Sequence, residues 1–146
     1  MRAAQIFETA LYGSDLGAMQ EFYERVLGLE LVSRFGDRGT ALRCGRGVLL
    51  LFNPDATELT GHGIPPHGTR GAGHMAFAVS GTELDGWRAH LVDCQVPIEI
   101  EVEWPEGGRS IYFRDPAGNS VELAPPTMWG FGAAPCVAEA TEESET

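Results

Sequence analysis

The chain has 146 residues, 43% of them hydrophobic and 21% charged, with a formal net charge of −11. That composition suits one soluble domain, or two small modules built around a shared sheet. The acidic balance argues against a nucleic-acid partner or an anionic membrane surface, since both need clustered Lys and Arg.

Part of the charge excess lies in "EATEESET" at residues 139–146, which reads as a free acidic tail. Cys44, Cys94 and Cys136 form no C-x-x-C pair, and they read as reduced thiols of an intracellular protein. "MRAAQIFETALYG" has no apolar signal-peptide segment, and no apolar run is long enough to span a bilayer. A cytoplasmic protein is therefore expected.

In chain order, "QIFETALYG" reads as a strand, and Ser14 or Asp15 as the N-cap of a helix over "LGAMQEFYERVL". Leu16, Met19, Phe22, Tyr23, Val26 and Leu27 recur there at amphipathic spacing, and Gly28 ends the element. "LELVSRF", "GTALRC" and "GVLLLFN" follow as strands. Residues 59–72, within "LTGHGIPPHGTRGAG", are too rich in Gly and Pro for regular structure and read as a linker.

The order then repeats. "GHMAFAVS" is a strand, and Thr82 is the candidate N-cap of a helix over "ELDGWRAHLVDC" that buries Leu84, Trp87, Leu91 and Val92. "VPIEIEVEW", "RSIYFRD" and "NSVELAP" are strands. The expectation is an α+β fold of two βαβββ modules, residues 1–58 and 73–128, with an extension over 129–146.

Glu8 and His74 occupy equivalent places in the two opening strands, 66 residues apart. By alternation Glu8 shares a face with Ala10 and Tyr12, and His74 with Ala76 and Ala78. A polar residue among small neighbours suits a strand that lines a concavity, with helices on the bulkier outer face. In the last hairpin, Asp115-Pro116-Ala117-Gly118 suits a type I turn. A five-residue loop from Asp115 to Asn119 would set Arg114 opposite Ser120 and Tyr112 opposite Glu122. Taken singly, Glu122 and Glu8 read as exposed carboxylates and His74 as a structural histidine.

"ETALYGSDLGAMQEFYERVLGLEL", "GHMAFAV" and "GRSIYFRDPAGNSVEL" together resemble the vicinal oxygen chelate superfamily, over about residues 5–125. That superfamily includes glyoxalase I, fosfomycin thiol transferases, extradiol dioxygenases and bleomycin-resistance proteins. The resemblance implies two βαβββ modules whose mixed sheets curl into a cup around one divalent metal, in a homodimer that takes a small-molecule substrate. By position the implied metal ligands are Glu8, His74 and Glu122, with Glu8 standing where most members carry His. "GVLLLFN" has no ligand-capable side chain before Asn53, so the four-ligand pattern of glyoxalase I is incomplete.

Two carboxylates and an imidazole would balance a divalent charge and leave roughly three octahedral positions open, which suits Mn, Mg, Fe or Ni, with Zn as a further fit. Glu122 or Glu8 would be the base. Tyr112, which matches a tyrosine of the fosfomycin transferases, would orient substrate, with filling of the cup as the alternative. Arg109 reads either as a holder of a substrate anion or as a surface residue. His62 and His67 read as solvated linker residues, with ligation or substrate contact as the alternative. Trp129 reads as packing, a pocket rim or a dimer contact.

The leading expectation is a metal-dependent, glyoxalase-like lyase or isomerase acting on a small oxygenated molecule, outside strict glyoxalase I activity. The alternatives are an extradiol dioxygenase or fosfomycin-type thiol transferase, and a metal-free drug-binding protein of the bleomycin-resistance kind.

Overall fold

The computed structural model describes residues 1–105 and 107–134, so the acidic tail and Cys136 lie outside the described residues. The first module runs β1 (Glu8–Tyr12), α1 (Leu16–Leu27), β2 (Glu30–Arg34), β3 (Gly39–Cys44), β4 (Gly47–Phe52) and a short α2 (Pro54–Thr57). Its sheet has the order β1-β4-β3-β2, with β1 parallel to β4 and the other pairs antiparallel.

Asp15 caps α1 by accepting from the Ala18 N–H, and the Gly28 N–H closes the helix onto the Glu24 carbonyl. Met19, Phe22, Tyr23 and Val26 are buried together with Leu11, Leu42, Leu49 and Leu51 from the sheet. This is the expected amphipathic stripe, except that Leu16 and Leu27 stay half-exposed at its margins.

The second module repeats the plan as β5 (His74–Ala78), α3 (Leu84–Asp93), β6 (Ile98–Glu103), β7 (Arg109–Arg114) and β8 (Ser120–Ala124). Its sheet order, β5-β8-β7-β6, mirrors the first. Leu84 and Leu91 of α3 are buried with Ile111, Phe113, Val121 and Leu123.

The start of α3 departs from expectation. A 3-10 turn, Gly81–Glu83, precedes it, and Glu83 rather than Thr82 is the N-cap, with no side-chain bond. Thr82 instead exchanges a 2.8 Å hydrogen bond with Ser80, so its hydroxyl is used before the helix begins. Val92 also lies on the outer surface, 64% exposed.

The chain divides into two compact units, Met1–Gly73 with Asp115–Asn119, and His74–Arg114 with the chain from Ser120 onward. Asp115–Asn119 is the hairpin loop, and a dense polar net holds it in the first unit. Asp115 Oδ1 accepts from the backbone N–H of Ala117 and Asn119, both at 2.9 Å. Its Oδ2 accepts from the Tyr23 hydroxyl and from Asn119 Nδ2, both at 2.8 Å. Asn119 also accepts from the Gly73 N–H and donates to the Tyr12 carbonyl. The turn closes through Gly118, which takes φ +82° and donates to the Asp115 carbonyl. Burial, then Asp115 as acceptor and neighbouring charge, drives the Tyr23 hydroxyl far above its ordinary pKa.

Asp115→Ala strips four acceptor bonds from a buried position, among them the one that satisfies the buried Asn119 N–H. A loss of about 2–4 kcal/mol in urea-unfolding stability is expected.

Candidate metal centre and its cavity

The hairpin register brings the predicted pair together. Tyr112 opposes Glu122, and Arg114 opposes Ser120, as the five-residue loop requires. Ala76 of β5 lies beside Glu122 on the other flank, and His74 beside Ser120. His74, Ala76 and Ala78 point to the open face of β5, so His74 stands one step along the same face from Glu122. Its Nε2 is 3.3 Å from Glu122 Oε2.

The other ring nitrogen settles the tautomer. His74 Nδ1 lies 3.1 Å from the Ser120 carbonyl oxygen. A carbonyl can only accept, so Nδ1 carries the proton, and in the neutral ring Nε2 turns a lone pair toward the carboxylate. Two acceptors facing each other need a cation or a second ring proton between them.

Glu122 supplies further evidence. It is only 5% exposed, and its Oε1 is buried with no hydrogen-bond partner among the described residues. A buried carboxylate oxygen without a partner is costly, and a bound cation would relieve that cost. His74 and Glu122 therefore fit a divalent cation as two of its donors. A carbonyl behind the imidazole is the outer-shell support that metal-binding histidines carry.

Glu8 opens β1, on an exposed position paired with Val48. Among the described residues no three His, Cys, Asp or Glu side chains come together so as to hold a metal ion. His74 and Glu122 both belong to the second unit and form a pair there. Arg109 donates to Asp85 at 2.6 Å and lies 3.6 Å from Glu101. Its hydrogen bond and charge hold the Asp85 carboxyl below the usual range. His62 is exposed. His67 lies 2.7 Å from the Tyr12 hydroxyl and packs edge-on to Phe52, so it is an aromatic-cluster residue of the first unit.

A cavity of about 460 Å³ opens over the His74–Glu122 pair, and every residue lining it belongs to the second unit. Tyr112 sits in its wall, its ring stacked on His74 with centroids 6.2 Å apart. Desolvation, and then the hydrogen bond and negative charge of Glu122, push the Tyr112 hydroxyl up to about 12. Tyr112 is therefore a neutral hydrogen-bond donor across the physiological range.

Trp104, Met128, Trp129 and Phe131 complete the apolar wall. Trp104 was not singled out in the sequence, yet alternation carried to the end of β6 finds it. Ile100 pairs with Tyr112 and Val102 with Ser110, so the next even position shares Tyr112's face. Trp104 Nε1 indeed donates to Ser110 Oγ at 2.8 Å.

Two βαβββ modules, with a His–Glu pair on the open face of the second sheet, define a glyoxalase-fold protein. The family model of the Glyoxalase/Bleomycin resistance protein/Dioxygenase superfamily matches residues 5–123, and the chain belongs to that superfamily. A lactoylglutathione lyase from Agrobacterium tumefaciens is 40% identical, with a TM-score of 0.87 over 90% of this chain and 100% of its own. A glyoxalase/bleomycin resistance protein/dioxygenase from Nocardioides is 25% identical, with a TM-score of 0.69 over 85% and 84% of the two chains. A variant of the fosfomycin resistance protein FosX from Listeria monocytogenes, complexed with Mn(II) and 1S,2S-dihydroxypropylphosphonic acid, shares the fold at 20% identity. Its TM-score is 0.63, over 85% of this chain and 90% of its own. No relative of curated function matches significantly. Among the described residues no helix is long and apolar enough to cross a membrane.

Tyr112 has a raised folded pKa, so the stability tied to its proton is fully present below its ordinary value near 10 and is lost as pH rises through about 12. In metal-free protein, an ultraviolet titration of tyrosinate should lose its step near pH 12 in Tyr112→Phe. Glu122→Gln should move that step down while leaving it above 10, because desolvation, the largest cause, remains.

Proposed function

We propose that this protein is a divalent-metal-dependent lyase or isomerase of the glyoxalase type, acting on a small oxygenated substrate. The observation that carries the reading is the buried Glu122 carboxylate in the cavity lining, whose Oε1 has no hydrogen-bond partner among the described residues and whose Oε2 lies 3.3 Å from His74 Nε2. The 40% identity to a lactoylglutathione lyase supports the reaction class.

His74 and Glu122 hold the ion. Glu8 is the third donor of the set, and the protein works as a homodimer. Mn, Mg, Fe, Ni and Zn all suit such a set of two carboxylates and one imidazole. When bound, the ion supplies Lewis-acid polarisation of a substrate carbonyl.

The protein's own groups do the remaining work. The Tyr112 hydroxyl donates to a substrate oxygen and orients it beside His74. A carboxylate of the set, Glu122 or Glu8, takes the proton from the carbon next to that carbonyl and returns it to the neighbouring carbon or oxygen. The apolar wall excludes water, which strengthens each of these interactions.

One alternative has a specific observation in its favour. An acidic floor under aromatic walls also suits a cationic drug held by sequestration, as in bleomycin-resistance proteins. Tight drug binding that a chelator leaves unchanged would favour that reading over catalysis.

Mn²⁺ titration of untagged protein should show one site per chain. Glu122→Ala and His74→Ala should each weaken it more than about a hundredfold, and Glu8→Ala should weaken it in the dimer. Equal metal binding by Glu122→Ala and wild type would sink the assignment.

A further inference from the structure

The cavity also says what kind of molecule its far end takes. Beyond the His74–Glu122 floor, its large side chains are Trp104, Met128, Trp129 and Phe131, with Tyr112 at the junction. At about 460 Å³ it lies within the range of small-molecule sites.

Two of its aromatic side chains are unusually exposed, Trp129 at 75% and Phe131 at 69%. The backbone that carries them is closed by hydrogen bonds. Pro125 and Pro126 open a 3-10 turn that ends at Gly130, with φ +75°, between the two rings. The Gly130 N–H donates to the Thr127 carbonyl and the Phe131 N–H to the Pro126 carbonyl. Aromatic side chains on a hydrogen-bonded turn beside a cavity present large apolar area with few rotatable bonds to order.

Positive charge is missing from this wall. The second unit carries three basic residues, Arg88, Arg109 and Arg114, and no lysine occurs anywhere in the chain. Arg88 is tied to Glu101, Arg109 to Asp85, and Arg114 to Glu99. None of the three lines the cavity. A phosphonate, phosphate or peptide carboxylate at the far end would be desolvated there without a counter-ion from this unit.

We infer that the substrate carries its chelating oxygens on an uncharged aromatic or flat apolar body, which the Trp104–Met128–Trp129–Phe131 wall holds. The chelating end rests on the metal reading above. The wall does not depend on it.

Calorimetric titrations of the full chain, with Mn²⁺ and with EDTA, separate the two. Three probes share one hydroxyketone end: 2-hydroxyacetophenone adds a ring, hydroxyacetone a methyl group, and dihydroxyacetone phosphate an anion. The ring compound should bind at least about tenfold tighter than either of the others, in both conditions. Trp129→Ala and Phe131→Ala should each cut that preference severalfold while leaving Mn²⁺ affinity at the wild-type value. Both side chains are exposed, so the variants should fold, and circular dichroism checks that they do.

A ring preference that persists in EDTA while Mn²⁺ fails to bind upholds the wall and overturns the metal reading. Mn²⁺ binding without a ring preference overturns the wall and leaves the metal reading standing. A preference unchanged in both variants, or tighter binding of the phosphate, also overturns it.

Discussion

The pairing of Tyr112 with Glu122 is the constraint on which the site depends, and it is set by a loop that contributes no ligand itself. Side chains alternate across a strand, so a slip of one residue between β7 and β8 would turn Glu122 into the core and send Val121 to the cavity. The Asp115–Asn119 loop prevents the slip by counting residues. Asp115 binds two loop N–H groups and the buried Tyr23 hydroxyl, so only one loop length satisfies all of its acceptors. A stabilising polar net and a functional register are here the same object.

The His74–Glu122 pair also explains why the second sheet tolerates a charge so close to its core. Glu122 is flanked by Val121 and Leu123, both fully buried on the opposite face. One of its oxygens faces His74 and the other has no hydrogen-bond partner among the described residues. Such an arrangement is unfavourable as structure and sensible as a site, because a cation relieves both the unpaired oxygen and the facing lone pairs. Small residues, Ala76, Ala78 and Ala124, keep the space above the pair open, while aromatic residues close its sides.

Ion pairing on the outer surface shapes the chemistry indirectly. Arg88, Arg109 and Arg114 are all engaged by carboxylates of α3 or β6. Their hydrogen bonds hold Glu99 and Glu101 below the usual carboxylate range. The cavity is left with an acidic floor and apolar walls, which separates it from sites built to clamp anionic substrates.

By itself, the sequence determined the repeat, the buried stripe of α1, and the hairpin register. These follow from local periodicity and from turn residues with one good conformation, as in Asp115-Pro116-Ala117-Gly118. The repeat set Glu8 and His74 at equivalent places in the two opening strands, and the resemblance added Glu122 as a third implied ligand. Periodicity says which face a side chain takes, and it is silent on what stands opposite that face. Only the tertiary structure decided that His74 meets Glu122, that Arg109 is spent on Asp85, and that Trp104 and Phe131 wall the cavity. Those outcomes depend on contacts between segments far apart in sequence, and no local pattern encodes such distances.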